Sequence, residues 1–232
     1  GLGDVYKRQG QLYLVTARHV ADGSGDLRSR VPVLNASTSK TEIIELRLPT
    51  TRWVYHPKGG DEKDFPVDVA VMKLPGIKDR SIVSFRYCPK DCPKDEYDQL
   101  ASDPAPPDQL VIFGFPLDLG FTLTEPRPMT RLGVVAMISD DPFIYVDVPG
   151  GKKMLQKGAF LIDARMFPGN SGGPLIVMNP LSKLTLGGLI TATNRNLDYA
   201  IATPASQVKE TIEQARSYDI SGFSAWFVIP KP

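Results

Sequence analysis

A serine framed by glycines, Gly169-Asn170-Ser171-Gly172-Gly173-Pro174, is the segment of this chain best suited to covalent chemistry. Glycines beside a hydroxyl let the main chain take positive φ and turn N–H groups inward, toward a point where a carbonyl oxygen could become an oxyanion. Gly169 and Ser171 are the expected donors. A serine hydroxyl is a weak nucleophile at neutral pH, so an imidazole must take its proton. The chain has two histidines. His19 ends the run Leu14-Val15-Thr16-Ala17-Arg18, as at the end of an apolar strand, and is the expected base. His56 stands before Pro57, in a loop or at a strand edge, and reads as solvated or structural. A carboxylate must then accept from the imidazole and fix its tautomer. Asp68 opens the valine-rich run Val69-Ala70-Val71 and is preferred for that role. Asp64 belongs to the charge cluster Asp61-Glu62-Lys63-Asp64, the composition of a solvated loop.

In their order along the chain, Thr16-Ala17-Arg18-His19, Asp68-Val69-Ala70-Val71 and the serine loop resemble the chymotrypsin-like (trypsin-like) serine proteases, and within them the bacterial HtrA-like peptidases. Gly114-Phe115-Pro116, Asp163-Ala164 and Tyr199-Ala200-Ile201-Ala202 are less specific matches, and the resemblance spans roughly residues 10–217. It implies an all-β fold of two six-stranded antiparallel Greek-key barrels with a C-terminal helix. It also implies a serine endopeptidase with His19, Asp68 and Ser171 as triad, acting on a polypeptide through an acyl-enzyme, with no cofactor and no metal. Gly188, Leu189, Ile190, Thr191, Ala192 and Thr193 fall where such enzymes pair with substrate backbone. Arg165 falls at the position that sets primary specificity in trypsin, where it would favour acidic side chains. The subgroup default is a small or medium apolar residue. Asn170 departs from the aspartate of digestive relatives, and no Ile-Val-Gly-Gly start is present, so activation by a new N-terminus is not expected. The competing reading is a silent or partner-activated binding module on the same fold. The intact candidate set favours the enzyme.

The elements that must hold these residues are short. Apolar runs at 12–16, 41–48, 68–74, 110–114, 132–138, 143–148, 159–163, 174–177, 184–192 and 199–202 read as strands, cut by Gly and Pro clusters at the spacing of barrels or sandwiches. Val208, Ile212 and Ala215 lie on one face of the single credible helix, over 204–217. The expected division is a barrel over 10–93 carrying His19 and Asp68, a Pro-rich linker over 94–108, a barrel over 109–203 carrying Ser171, the helix, and an aromatic tail over 218–232 that either packs on a barrel, the favoured reading, or begins an interface with a further segment. Residues 1–9 read as a non-native leader and are set aside, which leaves the first strand truncated.

With 232 residues, 42% hydrophobic and 23% charged, the chain has enough apolar surface for one large core or two smaller ones. A net charge of +1, with lysines and arginines scattered, argues against a nucleic-acid partner. No apolar run reaches the length that spans a bilayer. Cys88 and Cys92 are the only cysteines. A metal would want four ligands, which do not gather there. The pair is left either as a local disulfide, which suits an oxidising, extracytoplasmic compartment, or as two thiols.

Overall fold

Alternating apolar residues interrupted by turn formers give strands rather than helices, and the computed structural model follows that pattern. It describes residues 4–8, 11–22, 27–39, 41–59, 67–76, 80–82, 103–118, 128–140, 143–146, 153–156, 158–178, 185–194, 198–223 and 226–228. The first half holds β1 (Asp4–Arg8), β2 (Gln11–Thr16), α1 (Arg18–Asp22), β3 (Leu27–Asn35), β4 (Thr41–Leu48), β5 (Val54–Tyr55), β6 (Ala70–Leu74) and β7 (Arg80–Ile82). The second holds β8 (Gln109–Gly114), β9 (Met129–Ile138), β10 (Phe143–Val146), β11 (Lys153–Gln156), β12 (Phe160–Asp163), β13 (Pro174–Met178), β14 (Thr185–Asn194) and β15 (Tyr199–Pro204), then α2 (Ala205–Arg216) and β16 (Trp226–Val228).

The fold is chymotrypsin-like. In the second half β12, β15, β14, β13, β8 and β9 close into a six-stranded barrel, every pairing antiparallel. Inside it lie Leu110, Ile112, Val135, Ile162, Leu175 and Ile190, all buried. The first half is also built of antiparallel sheet. Among the described residues it is two four-stranded sheets, β1-β2-β6-β5 and β16-β4-β3-β7. Leu14, Met72 and Leu74 from one sheet meet Ile44, Leu46 and Leu48 from the other, so one core lies between two layers. Residues 4–8, set aside in the sequence analysis, form β1 and pair with β2 from Asp4↔Val15 to Arg8↔Gln11. The aromatic tail returns as β16 to the edge of β4, Trp226 opposite Leu46 and Val228 opposite Ile44. An edge strand leaves a row of main-chain groups unpaired, and β16 supplies their partners.

A third cluster joins the halves. Tyr13, Val15, Ala17, Val67, Val69 and Val71 from the first pack against Ile176, Leu186, Leu189 and the α2 residues Ala205, Val208, Ile212 and Ala215. Those α2 positions follow helical spacing, so the apolar stripe of the helix is its docking face. Its first turn has no cap from Pro204. Asp103, from the stretch before β8, accepts the Ser206 N–H at 2.8 Å, satisfying one orphan donor and placing negative charge at the positive end of the helix.

Candidate active site

Antiparallel pairing decides where His19 and Asp68 meet. Thr16, the last residue of β2, lies opposite Ala70, the first of β6, so the chain leaving one strand and the chain entering the other share an edge. Asp68 bridges across that edge. One carboxylate oxygen accepts the His19 main-chain N–H at 2.9 Å, and the other lies 2.7 Å from His19 Nδ1. Valines on either side, Val67 and Val69, are buried in the joining core and hold the carboxylate in place. The Asp68 side chain is 15% exposed and the His19 side chain 44%, so the ring faces solvent while its partner is shielded. Anchoring continues through α1. Arg18 Nε pairs with Asp22 at 3.0 Å, and its guanidinium lies 4.9 Å from the centre of the Tyr55 ring on β5. Burial, followed by the hydrogen bond to Asp22, pushes the Tyr55 hydroxyl up to about 12, so it stays a neutral donor.

The serine loop is two successive turns. Asn170 N–H donates to Phe167 O at 3.1 Å, and Gly173 N–H to Asn170 O at 2.9 Å. Pro168 at the second position and Gly169 (φ 96°) at the third follow the type II pattern, and Gly172 (φ 80°) repeats it one turn later. Pro168 O accepts from Leu117 N–H at 2.8 Å. Because a trans peptide points its C=O and N–H in opposite directions, the Gly169 N–H is turned away from Leu117. Among the described residues the amides of Gly169 and Ser171 have no hydrogen-bond partner. Asn170 points inward, 2% exposed, its Nδ2 donating to Met166 Sδ at 3.1 Å.

Two contacts press this loop onto the rest of the site. Ile190 grips it, donating to Gly173 O at 3.0 Å and accepting from Gly172 N–H at 2.7 Å. Gly172 also backs onto the residues before His19, since a Cβ there would meet Thr16 Oγ1 and, at 3.2 Å, the Ala17 nitrogen. Gly172→Ala is therefore expected to lower stability by about 1–3 kcal/mol through backbone strain, with further loss from the clash. The check is a lower urea midpoint than wild type.

The remaining candidates are scattered more widely. Arg165 is exposed, 3.4 Å from Asp198 and stacked on the Phe167 ring at 5.5 Å. Gly188 and Leu189 sit inside the barrel wall, paired with β13 on one side and β15 on the other. Ile190 holds the serine loop, and Thr191 Oγ1 donates to Ile201 O at 3.2 Å. Ala192 and Thr193 pair with β15, and among the described residues no strand pairs with their other edge. Asp64, Cys88 and Cys92 lie outside the described residues.

His56 is structural rather than solvated. It is 2% exposed, its Nδ1 accepts from Lys58 N–H at 3.2 Å, and its Nε2 lies 2.9 Å from Glu210 on α2. The amide fixes the ring's proton on Nε2, so His56 donates to Glu210 and ties the helix to the first half. His56→Phe leaves Lys58 N–H without its acceptor and is expected to cost about 1–3 kcal/mol, read as a lower urea midpoint with Ser171 labelling retained. Sequence reasoning missed this link, the Tyr55–Asp22 anchor and the grip of Ile190. Each joins residues distant in the chain, and only the type II turns carried a local signal.

The protease domain of MamO from Magnetospirillum magneticum is similar at 16% identity, over 94% of this chain and 87% of its own, with a TM-score of 0.49. The active form of the Rv3671c protease from M. tuberculosis is similar at 16% identity, over 94% of this chain and 74% of its own, also with a TM-score of 0.49. At that level of likeness they add nothing to a family assignment. No curated protein matches the chain. The family model described as a trypsin-like peptidase domain matches residues 1–179 of the 232, and the chain belongs to that family.

Proposed function

We propose that this peptidase domain is a serine endopeptidase in which Ser171 is the nucleophile, His19 the general base and Asp68 the residue that orients it. The observation that carries this reading is the Asp68 carboxylate, bonded to both the main-chain N–H and the ring Nδ1 of His19, on the edge against which Gly172 packs. With Nδ1 held by Asp68, Nε2 is the nitrogen that takes the Ser171 proton as Oγ attacks the scissile carbonyl. The imidazolium, stabilised by Asp68, then protonates the leaving amine. Water repeats the sequence on the acyl-enzyme, with His19 again as base.

The amides of Gly169 and Ser171 are the proposed oxyanion donors, supported by their lack of partners among the described residues and by the orientation that the Pro168 carbonyl imposes on the Gly169 peptide. Loss of one such donor costs roughly 3 kcal/mol in transition-state stabilisation. Of the residues 188–193, Ala192 and Thr193 have an edge suited to antiparallel pairing with an extended substrate. The polypeptide substrate follows from the family.

Labelling by a fluorophosphonate probe, with Ser171→Ala and His19→Ala as controls, tests the assignment. Labelling in the wild type that disappears in both variants supports it. A folded wild type that fails to label would sink it in favour of a binding module.

A further inference from the structure

Arg131 is a half-buried cation that meets no counter-ion among the described residues. Along β9, Gly133 and Val135 are buried, and alternation puts Arg131 on the same face, at the end of the barrel interior. Its guanidinium lies 4.8 Å from the centre of the Phe167 ring, and Nη1 donates to the Arg165 carbonyl at 3.3 Å. Nε is buried and has no hydrogen-bond partner among the described residues. Among the described residues no carboxylate pairs with Arg131. The second guanidinium, Arg165, lies over the same ring at 5.5 Å and pairs with Asp198 at 3.4 Å. Two positive charges thus meet one negative charge. That single pair is solvent-exposed, 68% and 66% for its two side chains, and so is weak and exchangeable.

A buried donor with no acceptor among the described residues, on a cation that meets no anion among them, is costly to keep and calls for an explanation. The planar fork of arginine matches a carboxylate. Phe167, which both guanidiniums cover, begins the turn that carries Gly169, and Ser171 follows it directly. A carboxylate held here would lie beside the serine loop.

We infer that Arg131 and Arg165 form a carboxylate-recognition site, and that the polypeptides cut by this domain carry an aspartate or glutamate within two residues of the scissile bond. The inference rests on Ser171 being the nucleophile. It departs from the small apolar default of the subgroup, agrees with the acidic preference expected from the place of Arg165, and adds Arg131 as the second recognition group. Asp198 pairs with Arg165 and gives way to the substrate carboxylate, which then bridges both guanidiniums.

The test uses acetylated, amidated alanine-rich hexapeptides in which one glutamate is moved through the positions, each with a glutamine twin. At one position the glutamate peptide is expected to show at least a tenfold higher kcat/KM than its twin, an advantage that shrinks as salt rises. Arg131→Met should abolish that advantage, Arg131→Lys should retain part of it, and Asp198→Asn should enlarge it. Equal kcat/KM at every position, or a glutamate advantage unchanged in Arg131→Met, overturns the inference. The same peptides titrated by calorimetry into the Ser171→Ala chain separate the two readings. Tighter binding of glutamate than glutamine, lost on adding Arg131→Met, supports the carboxylate site even if the wild type fails to label with fluorophosphonate, which would count against Ser171 alone. No difference in binding overturns the site.

Discussion

With Ser171 as the proposed nucleophile, Ser171→Ala is expected to lower kcat on a peptide substrate by about a million-fold, leaving roughly 10³–10⁴-fold acceleration over water from the proposed oxyanion donors and substrate binding, as in characterised serine proteases. The substitution removes Oγ and little else. Ser171 stands at the second position of its turn, where positive φ is not needed, and alanine preserves the bonds from Gly172 and Gly173 to Ile190. His19→Ala should fall almost as far, and the double variant no further, because nucleophile and base act as a unit. Steady-state kinetics with active-site titration reads all three. More than about a hundredth of wild-type kcat in Ser171→Ala would place the nucleophile elsewhere, since loss of an acting nucleophile costs far more than that.

Asp68→Asn should reduce kcat by about 10⁴-fold while leaving the fold in place. The reason lies in the two bonds Asp68 makes to His19. An asparagine has one acceptor and one donor group. If its oxygen takes the main-chain N–H, its NH₂ faces Nδ1 and donates to it, which moves the ring proton to Nε2. The imidazole can then no longer accept the Ser171 proton. If the amide flips, two donors face each other at the main chain and α1 loses its anchor. Asp64→Ala, by contrast, is expected to keep most of the activity. A loss in Asp64→Ala as large as that in Asp68→Asn, measured as kcat on the same substrate, would transfer the orienting role to Asp64.

How much of this was legible varies with the range of the interaction. Pro168 and Gly169 specify their turn through their own backbone preferences, and Gly172 does the same in the next, so the shape of the serine loop is written into six neighbouring residues. The strands of the second half were likewise visible as apolar runs cut by Gly and Pro clusters. By contrast β1, whose Asp4, Lys7 and Arg8 interrupt any apolar pattern, is held by main-chain pairing to β2. The tail at 226–228 carried an apolar signal, but nothing local named β4 as its partner. His56 shows the same limit, since the Glu210 that it meets is 154 residues away.

The sequence by itself determined the chemistry on offer, a hydroxyl, an imidazole and a carboxylate in a recognisable order, together with the local turns that present the hydroxyl. These depend on residue type and on φ and ψ preferences that act within a few positions. Tertiary structure alone decided that Thr16 would face Ala70, bringing His19 to Asp68, and that Gly172 would rest on Thr16 and Ala17. It alone brought Arg131 to Phe167 with no carboxylate among the described residues to meet it. Register and packing are set by the joint burial of many distant side chains, and no short segment carries that information.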